Sequence, residues 1–138
     1  MTDLLTRVLS PVHRLLGRRH QAGAVAGDTV EQFNLGLSLD RAGDREGAER
    51  WYRAAAEAGD SDAANNLGLL LDGDANRKPE ALPWFAQAAE AGDAEAAWNA
   101  AVLCEELGDS VAALNWYRTA ASRGDRHAIR ELERRNEL

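Results

Sequence analysis

A chain of 138 residues, 45% hydrophobic and 28% charged, has room for one ordinary core or a few stacked repeats, and not for two domains. Its single cysteine, Cys104, excludes an internal disulfide framework and any multi-cysteine zinc site. The net charge of −7 is unevenly spread: residues 28–125 hold 19 acids against 8 bases, and so acidic a body speaks against non-specific nucleic-acid binding, which needs a basic surface to displace counterions.

The first 27 residues are different in kind, with four arginines against Asp3. Leu4, Leu5, Val8, Leu9, Val12, Leu15 and Leu16 recur at helical spacing with arginines opposite, and Ser10-Pro11 either kinks this stripe or caps a second short helix. Such a basic amphipathic segment fits three roles: a cap over the first repeat, a contact with an anionic membrane surface, or pairing with a partner or a second copy. No stretch approaches the roughly 18 to 20 apolar residues of a membrane span. Arg7 and Ser10-Pro11 interrupt any secretory core, so the expected location is cytoplasmic, with an organelle transit peptide as the alternative reading of the arginine-rich leader.

From Asp28 onward the chain repeats itself. "WYRAAAEAGD" from Trp51 returns as "WFAQAAEAGD" from Trp84 and more loosely as "WYRTAASRGD" from Trp116. Alignment on Gly-Asp gives units at 28–59, 60–92 and 93–124, and periods near 34 signal stacked helix pairs. The first half of each unit carries apolar residues one turn apart: Leu35 and Leu39, Leu67 and Leu71, Ala100 and Cys104. The second half carries a stripe of five: Ala48, Trp51, Tyr52, Ala55 and Ala56, then Ala81, Trp84, Phe85, Ala88 and Ala89, then Ala113, Trp116, Tyr117, Ala120 and Ala121.

Gly59, Gly92 and Gly124 are placed to end each second helix in the left-handed conformation, and Asp28, Asp60, Asp93 and Asp125 to cap the helix that follows. Gly43-Asp44 and Gly108-Asp109 make the same switch inside their units, while the second unit uses "GDANRKP" with Pro79 in the first helical turn. Gly36 and Gly68, with Ala101 in the same place, let the two helices of a unit approach closely. Trp51, Trp84 and Trp116 are expected to fill the space between units. After Asp125, "RHAIRELERRNEL" reads as a lone capping helix over 126–138, with Ala128 and Leu132 on its packing side.

The stretches "FNLGLSLDRAGDREGAERWYRAAAEAGD" and "NNLGLLLDGDANRKPEALPWFAQAAEAGD" resemble tetratricopeptide repeats, and their endings resemble Sel1-like repeats. The units lack the longer inter-helix loop of the second family and the terminal proline of the first, which places them between the two. The resemblance, over residues 28–125, implies an all-α, right-handed α-solenoid of three helix-turn-helix repeats with an N-terminal helical segment and a C-terminal capping helix. It also implies a non-enzymatic protein-binding scaffold or adaptor whose first helices line a concave groove.

Carried onto this sequence, that groove holds Phe33, Asn34, Leu37 and Arg41 in the first unit, Asn65, Asn66, Leu69 and Asp72 in the second, and Trp98, Asn99, Val102 and Glu105 in the third, with Val30, Asp62 and Glu95 one turn earlier. Phe33 and Trp98 stand outside the repeated packing stripe and are either a binding patch or extra core. Asn34, Asn66 and Asn99 recur at one position, but the basic residues that hold a peptide's terminal carboxylate in tetratricopeptide clamps are absent. The expected partner is therefore a basic or mixed basic and apolar protein or peptide. The alternative is a peripheral membrane adaptor anchored by residues 1–20.

No catalytic constellation stands out: there is no nucleophile elbow, phosphate loop or histidine-glutamate metal helix, and His13, His20 and His127 share no ligand spacing. Neither a cofactor nor a metal is expected, and Cys104, on a packing stripe, is expected to be a buried thiol.

Overall fold

The computed structural model describes residues 27–138, and among these every regular element is an α-helix. In chain order they are α1 (Thr29–Arg41), α2 (Arg45–Glu57), α3 (Ser61–Asp72), α4 (Lys78–Glu90), α5 (Ala94–Glu106), α6 (Ser110–Ser122) and α7 (Arg126–Arg134). Each helix packs chiefly on its sequence neighbours, α1 with α2, α3 with α4, α5 with α6, which is the arrangement of a helix-pair solenoid. The leading basic segment lies outside the described residues, and with it the expected N-terminal helix.

Six helix starts have the same construction. The side-chain carboxylate of Asp28, Asp44, Asp60, Asp93, Asp109 or Asp125 accepts a hydrogen bond from an amide two or three residues on, such as Ala63 N at 2.8 Å from Asp60 and Ala128 N at 2.8 Å from Asp125. The glycine before each lies at positive φ, from 81° at Gly43 to 111° at Gly92, where a Cβ would strain the backbone. The second unit departs from this inside its helix pair. Gly73 closes α3 in the right-handed region, no side chain caps α4, and Pro79 occupies the first turn, where its missing N–H is no loss.

At the Gly-Asp junctions between units the core is almost pure alanine. Ala55 and Ala56 of α2 lie with Ala63 and Ala64 of α3, and Ala88 and Ala89 of α4 with Ala96 and Ala97 of α5, all fully buried in one cluster. Side chains this small let successive helices approach closely, and the seam repeats at Ala120 and Ala128. Two long side chains brace it by reaching back to carbonyls in the last turn of the preceding unit: Gln87 Nε2 donates to Ala56 O at 2.6 Å, and the Arg123 guanidinium donates to Ala89 O.

The larger core residues sit between the helices of a pair, and here one expectation is corrected. The fully buried rings are Tyr52, Phe85 and Tyr117, while the neighbouring Trp51, Trp84 and Trp116 are only partly buried. Trp84 and Trp116 still pack along the core, but the Arg50 guanidinium lies 5.1 Å from the Trp51 ring and the Arg53 guanidinium 5.3 Å from that of Trp84, so these indoles form an outer shell. The reason is in the opposing helix. A Cβ at Gly36 would come within 2.6 Å of Tyr52 Cδ1, and one at Gly68 within 2.5 Å of Phe85 Cδ1 and Cε1, so each glycine faces the ring one position after the tryptophan. The helix pair is rotated to seat that ring.

Beyond α6, α7 buries Ala128 and Leu132 against the last pair and turns its charged residues outward. Cys104 is buried, and desolvation, with Asp109 nearby, pushes its thiol pKa up, so the thiolate needed of a nucleophile is disfavoured.

Candidate functional site

The first helices of the three units, α1, α3 and α5, share one face. On α1 the stripe Val30, Phe33 and Leu37 runs along it at spacings of three and four, and Asp62, Asn66 and Leu69 do the same on α3. Val30 is 59% exposed and Leu69 43%. Between these stripes lie two hollows that share Asn66. The larger, of about 550 Å³, is lined by Phe33, Asp62, Asn65, Asp93 and Glu95 among others, and the smaller, of about 250 Å³, by Leu37, Leu69, Leu70, Asp40 and Arg45. Together they make a trough with three carboxylates and no base at its α5 end and leucines at the other.

The expected groove residues divide into those that open onto this trough and those that are engaged inside the solenoid. Phe33, Leu37, Asn65, Asn66 and Leu69 line it. Arg41 is exposed in the last turn of α1, and the Asn34 carbonyl accepts the Ser38 hydroxyl at 3.0 Å. Asn65 is buried and accepts from Asn99 Nδ2 at 3.1 Å, so these two amides tie the second unit to the third. Val102 packs on the core. Trp98 makes tilted ring contacts with α6 and α7, its ring centroid 5.1 Å from Tyr117 and 5.7 Å from His127. Phe33 packs similarly on Tyr52, 6.0 Å centroid to centroid, while keeping one side on the larger hollow. Both aromatics thus pack on the core.

The acidic residues at the ends of the first helices have partners of their own. Tyr52 Oη donates to Asp40 at 3.3 Å, and Tyr117 Oη donates to Glu105 at 2.8 Å. Asp72 holds the same place in the second unit, where Phe85 has no hydroxyl, and takes Lys78 Nζ at 3.1 Å instead; that ammonium also reaches Glu106 of the third unit at 2.6 Å. Burial, reinforced by Asp40, pushes the Tyr52 phenol up to about 12, and burial with the bond to Glu105 pushes Tyr117 up as well. Burial acts to raise Glu105, but Arg135 and the Tyr117 hydroxyl outweigh it and leave its carboxyl below the usual range. Glu105 therefore carries a structural load that no sequence pattern announced.

Further ion pairs act both between and within elements. Arg77, just before α4, clasps Glu49 of α2 with two bonds of 2.7 Å, and its hydrogen bond is the main cause that lowers the Glu49 pKa. On α7, Arg134 and Arg135 hold Glu131 down at about 2. An unfolded glutamate titrates near ~4.3. Carboxylates held below that value contribute stability that is complete above it and lost as pH falls through the folded values. We therefore expect the melting temperature to be flat above about pH 5.5 and to fall progressively below that. Glu131→Gln should start from a lower melting temperature at neutral pH and fall less on acidification; an acid limb as steep as the parent's would show that Glu131 contributes nothing to it.

Among the described residues no helix is long and apolar enough to cross a membrane, and no group of three or more His, Cys, Asp or Glu side chains is placed to hold a metal ion.

No protein-family model matches the chain, and no curated protein sequence does. Solved structures do match. A protective antigen present in uropathogenic Escherichia coli strains, displaying an SLR fold, superposes with a TM-score of 0.70 and 32% identity over 79% of this chain and 26% of its own. A Sel1 repeat protein from Oxalobacter formigenes superposes with a TM-score of 0.63 and 32% identity over 75% of this chain and 47% of its own. The chain thus spans less than half the length of either. Sequence reading had left the repeats between two families; the paired helices joined by Gly-Asp, together with these two superpositions, establish that the chain has the Sel1-like repeat (SLR) α-solenoid fold.

Proposed function

We propose that this solenoid is a non-enzymatic protein-interaction module, an adaptor of the cytoplasm, that binds a basic and apolar peptide or partner helix along the α1–α3–α5 face. The observation that carries this reading is the trough itself. It joins exposed or half-exposed apolar side chains, Phe33, Leu37 and Leu69, to Asp62, Asp93 and Glu95, and the larger hollow, where those carboxylates lie, has no base in its lining. Repeats of this kind are interaction modules in general, and their fold gives a surface on which successive units each add a few contacts. Electrostatic complementarity then selects a partner with lysines or arginines at one end and aliphatic groups at the other.

The residues to test are those that line the trough without holding the fold. Asp62→Lys with Glu95→Lys reverses charge at two exposed positions, and Leu69→Asp removes the exposed leucine of the smaller hollow; Trp98 and Glu105 are unsuited, since both are packed or bonded between elements. Selection from a random displayed peptide library should enrich peptides combining arginine or lysine with leucine-like residues. The charge-reversed chain, with its melting temperature unchanged, should lose these peptides by about tenfold or more, as removal of about 1.4 kcal/mol of attraction requires. Enrichment of acidic peptides, or equal binding by parent and variant, would remove the trough from consideration.

A further inference from the structure

The face just described is open along its whole length in the described residues, yet this chain carries a segment of matching chemistry. Residues 1–20 hold four arginines, one acid and a leucine-rich stripe, while the trough offers Asp62, Asp93 and Glu95 beside Phe33, Leu37 and Leu69, with Val30 exposed on the same helix as Phe33. The described chain starts at Gly27, directly before the Asp28 cap of α1, so the segment is tethered at the end of the helix that forms one wall. From His20 to Gly27 an extended chain spans about 23 Å. The 13 residues of α1 extend only about 20 Å. A nearly extended linker therefore runs the length of α1.

We propose that residues 1–20 occupy this trough within their own chain, with the leucines over Val30, Leu37 and Leu69 and the arginines beside Asp62, Asp93 and Glu95. The docking needs no outside partner. That it also regulates binding rests on the function proposed above: a partner of the same chemistry must displace the segment. If the trough is occupied in about nine molecules of ten, apparent affinity falls about tenfold.

The test uses the full chain. Because Cys104 is buried, Ser10→Cys gives a single accessible thiol for a nitroxide spin label. The label should broaden the amide signals of Val30, Phe33, Asn66 and Glu95 and leave α6 and α7 sharp. The broadening should persist when labelled chains are diluted into excess unlabelled ones, and should vanish with Asp62→Lys and Glu95→Lys. No broadening, broadening centred on α6 and α7, or broadening lost on dilution would overturn the proposal, the last assigning the segment to a second copy. Sedimentation with anionic vesicles by a chain that shows no broadening would assign it to a membrane surface instead. Leu9→Asp with Leu16→Asp, which frees the trough, should tighten binding of the selected peptides about tenfold. Peptide binding without label contact would sink the docking and leave the binding module standing; label contact with no peptide bound by the freed chain would do the reverse.

Discussion

Phe85→Ala should lower the unfolding free energy by about 3 to 5 kcal/mol, the range for emptying a fully buried aromatic site that cannot collapse. Phe85 is 1% exposed, and its ring lies so close to Gly68 that a Cβ there would be 2.5 Å from it. Trp51→Ala removes a larger side chain but one that is half-buried and belongs to neither core cluster, and we expect it to cost less than half as much. At roughly 4 °C per kcal/mol for a domain of this size, the two variants should be clearly separated in melting temperature. Gly68→Ala adds one carbon against the same ring and should cost about 1 to 3 kcal/mol. Combining it with Phe85→Leu should cost less than the two changes made separately, because the smaller side chain relieves the contact. Equal losses for Phe85→Ala and Trp51→Ala in a denaturant titration would return the tryptophans to the centre of the core.

The Gly-Asp punctuation, the helix pairs and the packing stripes were legible in the sequence because each depends on short-range chemistry: a left-handed glycine, a capping carboxylate and a period near four. Which of two adjacent aromatics is central was not legible in the same way. Trp51 and Tyr52 both lie on the stripe, and the rotation that buries one is set by the opposing helix. A signal was present nonetheless, since Gly36 and Gly68 leave room for a ring and the third unit has Ala101 with Tyr117 instead. The bonds from Tyr52 to Asp40 and from Tyr117 to Glu105 were missed for a related reason: they join the last turn of one helix to the middle of the next, at a separation no helical period predicts. The candidate surface was only half legible. Residues on α1 and α3 were found from their register, but Asp93 was recognised only as a cap. Its second role depends on the α4–α5 junction opening beside α3.

That double role of Asp93 allows folding and binding to be separated by two substitutions at one position. Its side chain accepts the Ala96 amide at 3.1 Å, and the same carboxylate, with Ala91 and Gly92, lines the larger hollow. Asparagine caps a helix about as well as aspartate, so Asp93→Asn should change stability by no more than a few tenths of a kcal/mol while removing one of the trough's charges. Asp93→Ala loses the cap too and should cost about 1 kcal/mol. Gly92 before it sits at φ 111°, and alanine there adds about 1 to 2 kcal/mol of backbone strain. The double variant Gly92→Ala, Asp93→Ala is therefore expected to lose about 2 to 3 kcal/mol, with some departure from additivity because the residues are adjacent. Since each unit is stabilised mainly by its neighbours, loosening the α4–α5 seam should also broaden the unfolding transition and let the first two units unfold apart from the third. Circular dichroism against denaturant measures midpoint and steepness together. An Asp93→Asn chain as unstable as Asp93→Ala would show that the charge, and not the hydrogen bond, holds α5 in place. A stable Asp93→Asn chain with weakened binding of basic peptides would tie the junction between units directly to recognition.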